Sequence, residues 1–321
     1  MARSPARLAL VALAAAIILV AAVPTASARQ AASKTDCVTY EGIADAPKRK
    51  IPRDDVVTIH RDRLSRWART NPLRAERAAS SAATVTIPVV FHVLRKNTTI
   101  DGGNAPLAWI EDQIDVLNDG YSGATGGVDT GFRFELVSVD RTTEPSWFKF
   151  FHAQGGEPRF VRGSHKEIRI KQALHEGGPG TLNVYTGALG KLLLGWATFP
   201  TALDDNARSG FMDGVVIDYR TMPGADLGPY DEGDTLTHEV GHWLELFHTF
   251  QGGCIPPGDR VDDTPFEAIP AFICDPRDTC PDDPGADPIH NFMDYTDDAC
   301  LTEFTADQAD RMRIAWEAYR A

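Results

Sequence analysis

The sequence predicts one α+β domain with a cleft between two subdomains. Apolar, β-branched strands alternate with amphipathic helices from Thr84 onwards. Between residues 251 and 300 the chain is instead Gly-, Pro- and Asp-rich, and this stretch holds four of the five cysteines. Composition agrees: 43% hydrophobic and 24% charged residues exclude a disordered or collagen-like chain of 321 residues.

The elements follow in order. Arg3 and Arg7 precede an apolar run from Leu8 to Val23, broken at Pro24 and followed by Ala26-Ser27-Ala28. That is the pattern of a cleaved export signal over 1–28, and the run is shorter than the ~20 residues a spanning helix needs. Residues 29–80 are rich in Arg, Lys and Ala with weak hydrophobic periodicity, as expected of a loosely folded pro-segment or linker. The main folded domain then occupies 81–321, the domain the resemblance below makes catalytic. Thr84–Leu94 reads as a strand buried in a sheet, and Phe132–Val139, Leu182–Thr186 and Val215–Tyr219 read as further strands. Helical spacing appears over 106–118 and 164–175, and Thr305 caps a last helix reaching Tyr319.

Charge narrows the partners. The net charge of −13 argues against nucleic acid or an anionic membrane surface. Residues 1–80 are nevertheless basic, so the body behind them is strongly acidic. Export places the mature chain outside the cell and free of the membrane once the signal is removed, and makes disulfides the expected state of the clustered cysteines. We read the mature chain as a monomer.

The sharpest signal is His238-Glu239-Val240-Gly241-His242. Positions i and i+4 share one helix face, so both imidazoles can reach one ion, and Glu239 can reach a water bound to it. Asp234 or Thr235 suits the helix start. His248 lies six residues past His242, about 240° around a continuous helix and ~9 Å further along. It can share the ion only if the chain leaves the helix near residue 245 and folds back. That is the metzincin arrangement of zinc proteases, and Asn291-Phe292-Met293-Asp294-Tyr295 resembles their Met-turn.

The narrower resemblance is to the pappalysin family. It rests on HEVGHWLELFHTF at 238–250, Gly252-Gly253-Cys254, Gly258-Asp259, Asp263-Thr264-Pro265, the Met-turn, Cys300, Phe304-Thr305 and Arg311-Met312. The resemblance implies a zinc endopeptidase of metzincin fold: a twisted mixed sheet with backing and active-site helices above a loop-rich, disulfide-braced C-terminal subdomain. It implies His238, His242 and His248 as zinc ligands and Glu239 as the base that takes a proton from the attacking water and hands it to the leaving amine. Tyr295 would approach the zinc or the oxyanion, and Met293 would form an apolar floor. The family suggests the interleaved pairs Cys254–Cys280 and Cys274–Cys300, out of three connectivities. It also carries calcium near Asp259, Asp262, Asp263 and Thr264, a cluster of hard oxygens suited to that ion. Asp297 and Asp298 follow the Met-turn, which in metzincins borders the pocket for the residue after the cleaved bond, so basic side chains are expected there.

Protein or peptide substrate would lie extended along a sheet edge, with Leu182–Thr186 and Leu193–Phe199 as the candidates. The competing functions are a metal-dependent amidase acting on small molecules and an inactive protease-like binding protein. Cys37, left over once four cysteines pair, is the candidate zinc-blocking residue of the pro-segment. Arg69, Arg74 and Arg77 offer places to cut. His92, His290, Trp243 and Phe247 read as structural. One position departs from the metzincin pattern: Glu245 stands where Gly, sometimes Asn, supplies a left-handed backbone, at a cost of ~1 kcal/mol.

Overall fold

β-branched runs dominate the sheet, and their placement explains their composition. In the computed structural model, residues 63–149, 152–154, 157–159, 164–189, 193–201 and 209–321 are described. The signal and Cys37 lie outside them. Strand β1 (Val85–Arg95) is flanked by parallel neighbours on both sides, β2 (Phe132–Thr143) and β5 (Leu182–Gly187). A strand so placed is covered on both faces, which is why Val89 to Leu94 are buried without alternation. A register shift falls at Val89/Val90, one residue after Pro88, which has no N–H to give the ladder.

β7 (Val215–Asp218) is parallel to β5, and β6 (Gly195–Ala197) closes one edge antiparallel to β7. The five-stranded order is therefore β2-β1-β5-β7-β6. One expectation is corrected here. β5 is interior, so Leu182–Thr186 offers no free edge, whereas β6 does. A separate pair, β3 (His152–Gln154) and β4 (Glu157–Arg159), is antiparallel.

Helix α3 (Leu107–Ser122) runs beyond residue 118 because tertiary contacts hold its Asn-Asp-Gly stretch helical. The Asn118 amide donates to Phe134 O and accepts from Phe134 N at 3.0 and 2.9 Å, and Tyr121 Oη donates to Thr237 O at 3.2 Å. α7 (Asp234–Trp243) lies beside α3, and the main core, including Ile87, Phe91, Leu117, Val240, Trp243 and Phe292, fills the space between these helices and the sheet. Between the short helices α4 (Pro145–Phe148) and α6 (Ser209–Met212) in sequence, α5 (His165–Leu174) packs its Ile170 into a second apolar cluster with Tyr185 and Trp196. The last helix, α8 (Ala306–Tyr319), begins in a reciprocal capping box between Thr305 and Gln308.

The described end of the front segment is helical, where its weak periodicity suggests a loose chain. Residues 63–70 form α1 and Pro72–Ala79 form α2. α2 lies against α8, with Ala75 buried and Arg74 paired to Glu317 at 2.7 Å, and Leu64 of α1 is also buried. The loop-rich region 251–300 is cross-linked by Cys254–Cys280 and Cys274–Cys300. Among the described residues, no helix is long and apolar enough to cross a membrane.

Candidate active site

α7 carries His238 and His242 on one face, one turn apart, and both are buried. The helix stops at Trp243, and Glu245 adopts φ 78, the left-handed conformation that turns the chain back. His248 thereby faces the other two. The Nε2 atom of His242 lies 3.0 Å from that of His238 and 3.1 Å from that of His248. On their far sides, His238 Nδ1–H donates to Phe292 O at 2.6 Å and His242 Nδ1–H donates to Leu246 O at 2.7 Å. Those bonds fix the tautomers, so the converging Nε2 atoms of His238 and His242 present lone pairs and no proton to share. Burial lowers the pKa of His238 to about 4 and holds His242 and His248 well below the ordinary imidazole value. Three neutral imidazoles with convergent nitrogens are the donor set of a zinc site.

The Glu245 turn is secured by residues that sequence reasoning passed over. Arg311 Nε of α8 donates to Glu245 O at 2.8 Å, and the Thr201 amide donates to Glu245 Oε2 at 3.3 Å. Burial raises the Glu245 carboxyl to about 7.

Beneath the imidazoles, the Met-turn is held by its first residue. Asn291 Oδ1 accepts from Met293 N at 3.0 Å, and its amide exchanges hydrogen bonds with the Gln308 amide. Met293 is fully buried against Gly241. The Tyr295 hydroxyl lies 3.1 Å from His248 Nε2, and Phe250 stacks on the His248 ring with centroids 4.6 Å apart. Glu239, one position past the first histidine, is fully buried beside β6. A β-carbon on Gly195 would come within 2.9 Å of its Cγ and 3.0 Å of its Oε1, so glycine there makes room for the carboxylate.

The two aspartates after the Met-turn have different surroundings. Asp298 is buried, and its Oδ2 accepts from the amides of Glu232, Gly233 and Asp234 at 2.9, 3.1 and 3.3 Å. It caps α7 from across the chain, because the residue at the N-cap, Gly233, has no side chain to do so. Neither Asp234 nor Thr235 occupies that cap. Asp298 also lines a small pocket with Asp234, Leu194, Tyr230 and Leu301, opening beside His238 and Tyr295. Asp297 is half-exposed and is not in its wall. Burial pushes Asp298 up to about 7 and Asp234 well above the usual carboxylate value, the second helped by the charge of the first. Asp234 had a visible signal, since the same acidic stretch marked the helix start, but nothing in the sequence placed it against Asp298.

Elsewhere the candidates separate. Asp259 is buried and accepts from Thr264 Oγ1 at 2.7 Å, whereas Asp263 is exposed and caps the Asp307 amide at 2.9 Å. The oxygen-rich loop is thus divided between two tasks. His92 is buried between Asp140 and Asn183, and His290 Nδ1 donates to Cys300 O at 2.8 Å. Both are structural contacts.

A mixed sheet above a helix bearing two histidines, with a third folded back over a Met-turn, defines a metzincin metallopeptidase. The comparisons with known proteins narrow this. The profile of the peptidase family described as "Pregnancy-associated plasma protein-A" matches residues 219–317. An extracellular metalloprotease of Sordaria macrospora is 41% identical over 244 residues, 75% of this chain and 78% of the relative. One from Colletotrichum graminicola is 38% identical over 243 residues, 75% of this chain and 80% of the relative. Among solved structures, a Tannerella forsythia promirolysin mutant is similar with TM-score 0.61 at 27% identity, covering 82% of this chain and 91% of the other. Mature mirolysin in complex with a cleaved peptide gives 0.58 at 28%, covering 75% and 97%. The chain belongs to the pappalysin family of metzincins, and it is a zinc metalloendopeptidase.

Proposed function

We propose that His238, His242 and His248 hold the catalytic zinc and that Glu239 is the general base and acid of an extracellular peptide-bond hydrolysis. The observation that carries this is the convergence of the three Nε2 atoms, with two tautomers locked by carbonyl oxygens behind them. Bound zinc supplies a Lewis acid for the scissile carbonyl and lowers the pKa of water towards ~7. Glu239 takes the water's proton on its carboxylate and returns it to the leaving amine. The Tyr295 hydroxyl donates to the developing oxyanion, a role its position 3.1 Å from His248 Nε2 supports, and Met293 supports the imidazoles from below. Substrate pairs along β6, the edge nearest Glu239.

The acidic pocket lined by Asp234 and Asp298 receives the side chain after the cleaved bond and selects basic residues. The name of the mirolysin complex, which contains a cleaved peptide, supports a peptide as ligand here. The relatives' names support secretion. In this reading residues 1–28 are removed as the export signal, and 29–80 act as a pro-segment through Cys37. Asp259 and Thr264 are the calcium candidates; Asp263, engaged with the Asp307 amide, leaves the set. The test is hydrolysis of casein by the purified secreted protein. Loss of activity in a chelator and its return with one equivalent of zinc are expected; chelator-resistant hydrolysis contradicts the reading.

A further inference from the structure

Glu245 is where this chain departs from the metzincin pattern, and its surroundings are built for a carboxylate. The residue is fully buried, in a conformation that glycine adopts without strain. Its side chain reaches out of the turn to the segment that follows β6. There the Thr201 amide donates to Oε2 at 3.3 Å, while Oε1 lies 3.7 Å from Arg311 Nη2 of α8. Arg311, and Phe199 in the segment that carries Thr201, hold other parts of the site. Arg311 binds the Glu245 carbonyl and lies over the Phe247 ring, 4.9 Å from its centroid. Phe199, two residues before Thr201, packs on both Phe247 and His242, with centroids 5.4 and 5.3 Å apart. On the other side, Arg63 of α1 donates to Thr201 O at 3.0 Å.

We propose that Glu245 is a positioning residue: its carboxylate joins the turn that delivers His248 to the segment 199–201, and so fixes the distance between the substrate-pairing edge β6 and the metal-binding face. The inference rests on the reading of β6 as the substrate edge and of the histidines as ligands. Glycine at 245 would relieve the backbone and deliver His248 equally well, but nothing would then tie Thr201 to the turn. A buried carboxylate kept in a left-handed turn, with an amide and a guanidinium beside it, is a contact retained despite the strain.

The experiment compares wild type with Glu245→Gly, Glu245→Asn and Glu245→Gln. Gly and Asn both tolerate the backbone, so either serves if the other folds poorly, and neither reaches Thr201. Amide hydrogen exchange is read first, because it requires no catalysis. The Thr201 amide and its neighbours in 195–201 should exchange at least tenfold faster in the Gly and Asn variants, and at the wild-type rate in Gln, which keeps an acceptor. Kinetics come second. KM for long peptides should rise about fivefold in the Gly and Asn variants, with kcat within twofold and zinc at one per chain. Unchanged exchange at Thr201 in both short-side-chain variants overturns the proposal, as does loss of zinc from them, which would move the effect onto the ligands. Wild type that cuts no peptide would overturn the functional reading alone, leaving the exchange result to decide the role of Glu245.

Discussion

A β-carbon added to Gly241 would sit 2.4 Å from the Met293 sulfur, closer than any real contact of that kind. The glycine between the two helical histidines is therefore matched to the Met-turn beneath it. The turn in turn offers Phe292 O to His238, so the floor and the first imidazole are set by one strand of chain.

Gly241→Ala should destabilise the protein by about 1–3 kcal/mol through overpacking. Met293→Ala in the same chain should recover part of that loss, because the two sites share the space. Thermal unfolding of the two single variants and the double variant measures this. Additive losses would show that the residues do not press on one another.

Removing the Asp298 cap should also cost stability. Asp298→Ala leaves three amides at the start of α7 without their acceptor, worth roughly 0.5–2 kcal/mol. Asp298→Asn keeps an acceptor and removes the charge. It should unfold near the wild-type temperature while weakening the preference for basic side chains after the cut in a peptide library. An unaltered preference would separate the cap from specificity.

Five buried acids give the metal-free protein a predictable pH dependence. Glu245, Asp259, Glu267 and Asp298 are pushed up to about 7 and Asp294 to about 8, in each case chiefly by burial. In the unfolded chain these groups ionise near pH 4. Below about pH 6.5 the buried histidines act the other way, because the unfolded chain protonates them and the folded one does not. Above that the folded state holds more protons than the unfolded one, and stability falls as pH rises to about 8. Unfolding temperatures measured in chelator from about pH 6.5 to 8 should decline. A steady rise across the same range would contradict the assignment.

The activating cut should avoid the interior of α2. Arg74 and Arg77 lie within that helix, and Arg74 is engaged with Glu317, whereas residues 82–84 are exposed and outside regular structure. Proteases act on extended, accessible chain. N-terminal sequencing of the mature form should therefore find no new terminus within 73–79.

The legible parts of this chain were those encoded by local spacing. The i, i+4 histidines, the rotation that forbids His248 from the same helix, and the Thr305 cap all follow from helix geometry. β5 was misplaced at an edge because an interior strand and a half-covered one can carry the same apolar run; only its pairing with β1 and β7 distinguishes them. α1 and α2 escaped notice because contacts with the body, such as Leu64 and the Arg74–Glu317 pair, hold them more than their own periodicity does. The task of Asp298 at the start of α7, and those of Thr201 and Arg311 at Glu245, depend on residues 44 to 66 positions apart in sequence. No spacing rule links them.

The division of labour between the histidines and Glu239 is tested most directly by zinc content and peptide hydrolysis measured together on Glu239→Gln. Glu239 follows His238 without being needed to hold the metal, so the variant should keep one zinc per chain. It should lose hydrolysis by at least about 10²–10⁴-fold, the usual contribution of a general base. Hydrolysis at the wild-type rate, or loss of the zinc with the carboxylate, would contradict the account.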